Sequence, residues 1–411
     1  MRKTLFILHK YAGLTLGLLL ALIGLTGSLL VFDHALDEQL TPQTITFKPS
    51  AQPASFAEIL AAAQAAVPGN PAPTRLMTQR QPGSPHVVRF PTPEGAPGPI
   101  EVSVSPTDAE VLAIRGWGTP EYTMTWLYRL HYTLLAGKNG KTVVGFMGLL
   151  LMVFCITGAV LWWPKKSKSQ KKQWKRAFTI SRSGNRFRFY FDIHKVFGIY
   201  CLPLLLMISF SGVTLVFPTQ VEAVVGSLFQ VEPRSALPGS RTGSGTPITP
   251  DQAVAIGETV FPGGALKRIY LPRNNEDSYG LTFRAEGEAW TNYGASFVRM
   301  DQYSGEILLS QNVTEIPLGN KIMRWQFPLH NGDALGIMGR WLVLIAGLAP
   351  ALLFGTGLYL WWQKRRLKSR TRRQQQGFSR TLGSIGLPTH SKEMEYTRES
   401  RRTASIPAHR Q

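Results

Sequence analysis

Two stretches, "LHKYAGLTLGLLLALIGLTGSLLVF" at 8–32 and "IHKVFGIYCLPLLLMISFSGVTLVF" at 193–217, read as one phrase written twice. Ten of the 25 aligned positions are identical, among them His9/His194, Lys10/Lys195, Gly13/Gly198, Gly27/Gly212 and Phe32/Phe217. Each is apolar and long enough to cross a bilayer, for which about 18–20 residues suffice. Each also carries an ionisable His-Lys pair about one turn inside the apolar run. A signal peptide is excluded for the second copy by its position, and the first is too long for a signal h-region. Both read as retained membrane helices.

Working outward, the same offset logic finds the rest of the unit. "MTWLYRLH" (124–131) parallels "MRWQFPLH" (323–330), and "TGAVLWW" (157–163) parallels "TGLYLWW" (356–362). Four apolar segments result, at 1–32, 143–163, 193–217 and 335–362. The expected fold is a mainly α membrane protein, a four-helix transmembrane bundle of two parallel repeats. Each repeat carries an inserted extracytoplasmic α+β domain, at 33–123 and 218–322. Within these, "SFAEILAAAQAAV" and "TPDQAVAIGETV" have helical period and helix-start chemistry. The runs "HVVRF", "IEVSVSPTDAEVLAI", "KRIYLPR", "YGLTFRA" and "ASFVRMDQYSGEILLS" alternate as strands. Each domain is expected to pack one helix on a short antiparallel sheet of its own. Stretches rich in Pro, Gly and Ser, such as "PRSALPGSRTGSGTP", read as linkers. The His-bearing segments 124–142 and 323–334 read as interfacial or re-entrant helices.

Charge sets the expected orientation. The net charge is +20, yet 26 of the 45 basic residues and only 4 of the 25 acids fall in 164–192, in 363–411 and at Arg2, Lys3 and Lys10. Basic excess beside membrane ends marks the cytoplasmic side, so both termini and the 164–192 loop are placed inside. The doublets Trp162-Trp163 and Trp361-Trp362 fit the aromatic belt there. Because the basic residues hug membrane ends, the high pI points to the lipid bilayer as partner and not to nucleic acid. The tail beyond 366 lacks periodicity and reads as disordered. Cys155 and Cys201 lie inside spans and read as packing residues.

The His-Lys-x-x-Gly opening, the Thr/Ser-Gly pair near the other end of the helix, the two outside domains and the Thr-Gly-x-x-x-Trp-Trp closing helices together resemble the PepSY-associated transmembrane family. The layout is similar to its iron-regulated inner-membrane ferrisiderophore reductases over about residues 1–365. That resemblance implies PepSY-like inserted domains, a bacterial inner membrane, and a ferric siderophore as the extracytoplasmic (periplasmic) electron acceptor. Some family members carry a fused flavoprotein domain; this chain has a basic tail instead.

The histidines carry the chemistry. His9 and His194 sit at matched depth near the inner face, where a polar ring in a span faces the bundle interior or a partner. Two facing imidazoles are what a bis-His haem iron needs, the alternative being interfacial anchors that snorkel to headgroups. His131 and His330 form a second recurrent pair near the outer face, and His34 is the reserve outer ligand. Lys10 and Lys195 are candidates for haem propionates or simply positive-inside anchors. His86, His390 and His409 read as solvated residues. Without C-x-x-C-H there is no covalent c-type attachment, which leaves two non-covalent b-type haems. No nucleotide-binding glycine loop, P-loop or catalytic triad is visible. The donor is therefore expected to be a cytoplasmic reductase or a quinol, and no catalytic residue separate from the haem ligands is expected. The residues leave open a second class of reading, in which the helices anchor a non-redox sensor, inhibitor or assembly factor that binds a periplasmic partner.

Overall fold

The computed structural model describes residues 1–41, 53–165, 169–181, 184–233, 236–241, 245–288 and 293–384, with backbone only beyond 370. The helices are α1 (Arg2–Leu30), α2 (Asp33–Leu40), α3 (Phe56–Ala66), α4 (Thr123–Thr133), α5 (Gly137–Trp162), α6 (Gln170–Phe178), α7 (Arg186–Val216), α8 (Pro218–Gly226), α9 (Pro250–Val260), α10 (Leu318–Asn331) and α11 (Gly336–Ser384). The strands are β1 (Arg75–Met77), β2 (His86–Arg89), β3 (Ile100–Val104), β4 (Val111–Gly116), β5 (Ala265–Tyr270), β6 (Tyr279–Arg284), β7 (Ser296–Met300) and β8 (Ile307–Gln311).

Among the described residues α1, α5, α7 and the apolar part of α11 are the four helices long and apolar enough to span a membrane. They close a ring in which α1 packs on α11, α11 on α7, α7 on α5 and α5 on α1. The α1–α11 crossing is close because Gly24 and Gly347 meet there; a Cβ on Gly24 would collide with the Gly347 carbonyl. Ser28 Oγ adds a 2.9 Å hydrogen bond to the Leu344 carbonyl at the same crossing. At the basic end Arg2 donates to the Leu161 and Trp163 carbonyls at 2.6 and 2.7 Å, fastening the start of α1 to the end of α5.

The connection at 164–192 is more structured than a loop. It contains α6, whose Trp174 and Phe178 pack against Trp162 at ring separations of 5.6 and 4.9 Å, and the first two turns of α7. Asn185 caps α7 by accepting from Arg188 N. The tail read as disordered instead continues α11 as helix through Ser384, since its Arg, Lys and Gln are good helix formers and no proline interrupts them. Residues 385–411, with His390 and His409, lie outside the described residues, as do parts of the "PRSALPGSRTGSGTP" linker.

The inserted segments do not make two separate sheets. They form one eight-stranded antiparallel sheet, ordered β4-β3-β2-β1-β5-β6-β7-β8. The seam is β1 against β5, with Arg75 opposite Tyr270, Leu76 opposite Ile269 and Met77 opposite Arg268. Helices α3 and α9 cover one face over a shared core that includes Ile59, Leu76, Val102, Ile269, Phe283 and Met300. Each helix has a capping box, Ser55 with Glu58 and Thr249 with Gln252. Asp251 then reaches across the seam, and its carboxylate accepts from Phe56 N and Ala57 N at 2.8 and 3.0 Å. A negative charge at a helix N-terminus is favourable, so this contact ties the two halves twice.

Register puts one charged row across the opposite face. Reading across strands, Arg115, Glu101, Arg89, Arg75, Tyr270, Gly280 and Arg299 are successive partners. This face is turned to the bundle, because Arg115 donates to Asp37 of α2 at 2.6 Å.

His86 corrects an expectation. It is buried beside Phe56 on the core face of β2, where its Nδ1 has no hydrogen-bond partner. Burial holds its pKa down at about 4, against an ordinary value of 6.5. The unfolded chain therefore binds the extra proton between about pH 6.5 and 4, and stability falls as pH drops through that window. Thermal unfolding at pH 7.5 and pH 5 should show a smaller acid-induced loss in His86→Asn than in the natural chain; equal losses would refute this.

Candidate functional site

The four recurrent histidines stand in two tiers, and each ring meets the same local device. His9 Nδ1 lies 2.8 Å from Thr157 Oγ1 of α5, and His194 Nδ1 lies 2.9 Å from Thr356 Oγ1 of α11. At the sheet end, His131 Nδ1 lies 3.1 Å from Thr26 Oγ1 of α1, and His330 Nδ1 lies 2.9 Å from Ser211 Oγ of α7. Every one of these hydroxyls is followed by glycine: Gly27, Gly158, Gly212 and Gly357. The missing side chain makes room for the ring. A Cβ on Gly27 would sit 2.8 Å from His131 Cε1, and one on Gly212 would sit 3.2 Å from His330 Cε1. At the other tier the corresponding distances are 3.7 Å for Gly158 and 3.6 Å for Gly357.

Hydrogen bonding favours one tautomer. Thr26 already donates its hydroxyl proton to the Leu22 and Ile23 carbonyls, and Thr356 to those of Leu352 and Leu353. Ser211 and Thr157 donate likewise, to Ile208 and Phe154. With their protons so engaged these oxygens accept, which favours the form with the proton on Nδ1. His131 and His330 confirm this directly, since their Nδ1 atoms also face the Ile23 and Ile208 carbonyls at 3.0 and 3.2 Å. With Nδ1 protonated, the lone pair is on Nε2, which has no hydrogen-bond partner in any of the four among the described residues. A neutral imidazole held by Nδ1–H and offering Nε2 is the form that ligates a metal.

The geometry pairs them. The rings of His131 and His330 are 6.2 Å apart between centroids, tilted by 50°. Two metal–nitrogen bonds of about 2.0–2.1 Å plus the ring half-widths place axial imidazole centroids about 6 Å apart. His9 and His194 are within electrostatic reach of each other. Among the described residues no three His, Cys, Asp or Glu gather as a metal site. A pair of ligands suits a metal that brings its remaining ligands with it, as haem iron does. Both His9 to Thr26 and His194 to Ser211 span 17 residues, so the tiers are about 26 Å apart along the helix axes at 1.5 Å per residue.

Other candidates fall elsewhere. His34 is off both tiers on α2, and its Nε2 is engaged at 2.9 Å by Tyr293 Oη. Burial and the positive Arg80 hold the His34 pKa at about 4, while burial raises its neighbour Asp33 to about 6. Lys195 is also committed, with Nζ 2.9 Å from the buried Asp192 carboxylate and bonded to the Arg176 carbonyl. Lys10 lies over the ring of its neighbour Tyr11, 3.8 Å from the centroid. Of the two lysines, Lys10 alone has no carboxylate at salt-bridge distance among the described residues. Cys155 and Cys201 are free and pack together with Leu205 and Ala349.

Reading the sequence by repeats found the histidines and noted the Thr/Ser-Gly pairs as part of the family resemblance, but gave their hydroxyls no role in orienting the rings. The signal was there as a Thr/Ser-Gly dipeptide occurring once in each span.

An uncharacterized protein of Pseudomonas aeruginosa is 24% identical over 268 residues, which is 58% of this chain and 63% of that relative. The chain thus spans less than two thirds of the relative's length. The profile of the PepSY-associated TM region matches residues 6–364, from the start of α1 to just beyond the tryptophan doublet of α11. The chain is a multi-pass membrane protein and belongs to the PepSY-associated transmembrane family.

Proposed function

We propose that the chain is a transmembrane electron-transfer protein holding two non-covalent b-type haems, one between His9 and His194 and one between His131 and His330. The observation that carries this reading is a shared hydrogen-bonding pattern: four part-buried imidazoles, each with Nδ1 against a Thr or Ser hydroxyl and each with no hydrogen bond at Nε2 among the described residues. Bound haem supplies a one-electron ferric/ferrous couple whose potential the protein tunes through ligands and burial. The chain's own part is to fix the ligands. The hydroxyls lock ring orientation, the glycines admit the rings, and the apolar helices exclude water.

In this reading the halves are parallel repeats about a pseudo-two-fold axis. The basic end faces the cytoplasm of a bacterial inner membrane, and the sheet faces the periplasm. With haem held there, the His9/His194 tier would take electrons from a cytoplasmic reductase or a quinol and the His131/His330 tier would pass them on. The acceptor is a ferric siderophore, which takes one electron and gives ferrous iron. Hard oxygen ligands hold the reduced ion more weakly, so the metal is released.

The test is the pigment of the full chain purified in detergent from haem-replete cells. The protein should be red, with a Soret band that shifts on dithionite reduction and two haems per chain by pyridine haemochrome. A colourless protein would overturn the reading.

A further inference from the structure

The charged row on the bundle-facing side of the sheet is not balanced along its length. At one end Arg89 and Arg115 share the buried Glu101, and Arg115 also has Asp37. From the seam onward the cations have only neutral partners, Tyr270 Oη for Arg75 and the Ser278 carbonyl for Arg299. Arg75, Arg268 and Arg299 have no carboxylate within salt-bridge distance among the described residues, and Arg75 Nε is buried without any hydrogen-bond partner.

These three guanidinium groups gather around one phenol. Arg75 of β1 lies 5.4 Å and Arg299 of β7 lies 5.7 Å from the Tyr270 ring centroid. Arg299 can reach over β6 because its partner there is Gly280, whose Cβ would be 2.7 Å from the Arg299 Cζ. Arg268, two residues before Tyr270 on the same face of β5, stacks 4.8 Å from the Tyr293 ring. Burial raises the Tyr270 pKa, but the positive charges of Arg268 and Arg75 outweigh it and the net shift is downward. Like charges this close repel in a half-buried setting, and among the described residues no carboxylate pairs with them at salt-bridge distance.

Resting on the electron-transfer reading, we propose that the Arg75–Tyr270–Arg299 platform, with Arg268, docks the acceptor and selects an anionic, aromatic ferric chelate of the catecholate class. Planar guanidinium groups match oxyanions in a fixed fork, and they stack on aromatic rings such as catecholates. Tyr270 and Tyr293 offer aromatic faces beside them. Because β1 belongs to the first inserted segment and β5 and β7 to the second, the platform exists only where the two segments join in one sheet.

The experiment measures binding of a hexadentate gallium(III) tris-catecholate to the full chain in phosphatidylcholine nanodiscs, by equilibrium dialysis. Gallium(III) has the charge and shape of the ferric complex but accepts no electron from haem, so the readout is independent of redox activity. The trianionic chelate should bind, and the uncharged gallium(III) tris-hydroxamate should not bind at the same concentrations. Arg75→Gln and Arg299→Gln should each weaken binding by about tenfold or more, given what a charged hydrogen bond contributes. Arg75→Lys, which keeps the charge but not the planar fork, should bind more tightly than Arg75→Gln and less tightly than the natural chain, which separates loss of charge from loss of fold. Equal binding of the two chelates, or Gln variants that bind normally, would overturn the proposal. So would abolition of chelate binding by phosphatidylglycerol in the disc, which would assign the platform to lipid headgroups. A colourless protein that still binds the trianion would reject electron transfer and keep the anion site; a red protein indifferent to the chelate would do the reverse.

Discussion

His131→Ala is expected to release about half of the bound haem and leave the rest spectroscopically unchanged, and His330→Ala should lose the same centre. His9→Ala and His194→Ala should each lose the other. The independence follows from the layout. The tiers are about 26 Å apart along the helix axes, and the side chains that hold one share no contact with those that hold the other. A single imidazole on a flat, apolar ligand site holds far less tightly than two, so removing either partner should empty its tier. Gly27→Val should reproduce the sheet-end loss without touching a ligand, because even a Cβ there would press on the His131 ring at 2.8 Å. His34→Ala should retain both haems, since its Nε2 is committed to Tyr293. Haem per chain and reduced-minus-oxidised spectra of the six variants decide this. If His34→Ala empties a tier, or if one histidine variant empties both, the assignment is wrong.

The largest stability effect should come from Glu101→Gln. The Glu101 side chain is 3% exposed and lies between two guanidinium groups, bonded to Arg89 and 3.1 Å from Arg115. Arg115 in turn holds Asp37, which docks α2 under the sheet. Removing one charge from a buried network leaves its partners desolvated and unpaired, at a cost of about 3–5 kcal/mol. For a domain of this size that is a fall in unfolding temperature on the order of 10 °C. Differential scanning calorimetry in detergent would measure it, with Glu306→Gln as a control because Glu306 faces Arg241 at an exposed site. A fall of only a degree or two for Glu101→Gln would mean that solvent reaches the network.

The bundle was readable because its signals are local and repeated. Length and hydropathy located the spans, and the offset between copies located the four histidines. What each ring does with its nitrogens was not readable, since the partners lie on different helices: Thr157 is 148 residues from His9, and Thr356 is 162 from His194. The seam was hidden for a different reason. β1 is three residues, "RLM", too short for alternation to register, and its pairing with β5 is a non-local event. The arginine row needs the register of seven strands before it exists at all. His86 is the instructive miss. In "HVVRF" it shares a face with Val88 and Phe90, both in the core, so strand alternation alone argued for its burial.

The β1–β5 seam also bears on how such a chain can change. A polypeptide ending after α5 would leave β1 as an open edge and one flank of α1 and α5 uncovered. It could close both only against a second copy of itself, pairing the same surface on each protomer. In such a dimer every substitution appears twice, and each must suit both positions. A covalent tether removes that restriction. Here position 34 is histidine where its counterpart 219 is threonine, and position 192 is aspartate where its counterpart 7 is isoleucine. One copy is thus free to fasten its lysine to Asp192 while the other leaves Lys10 without a carboxylate partner among the described residues. A chain that carries both segments has a left and a right, so that a single face can meet a single partner.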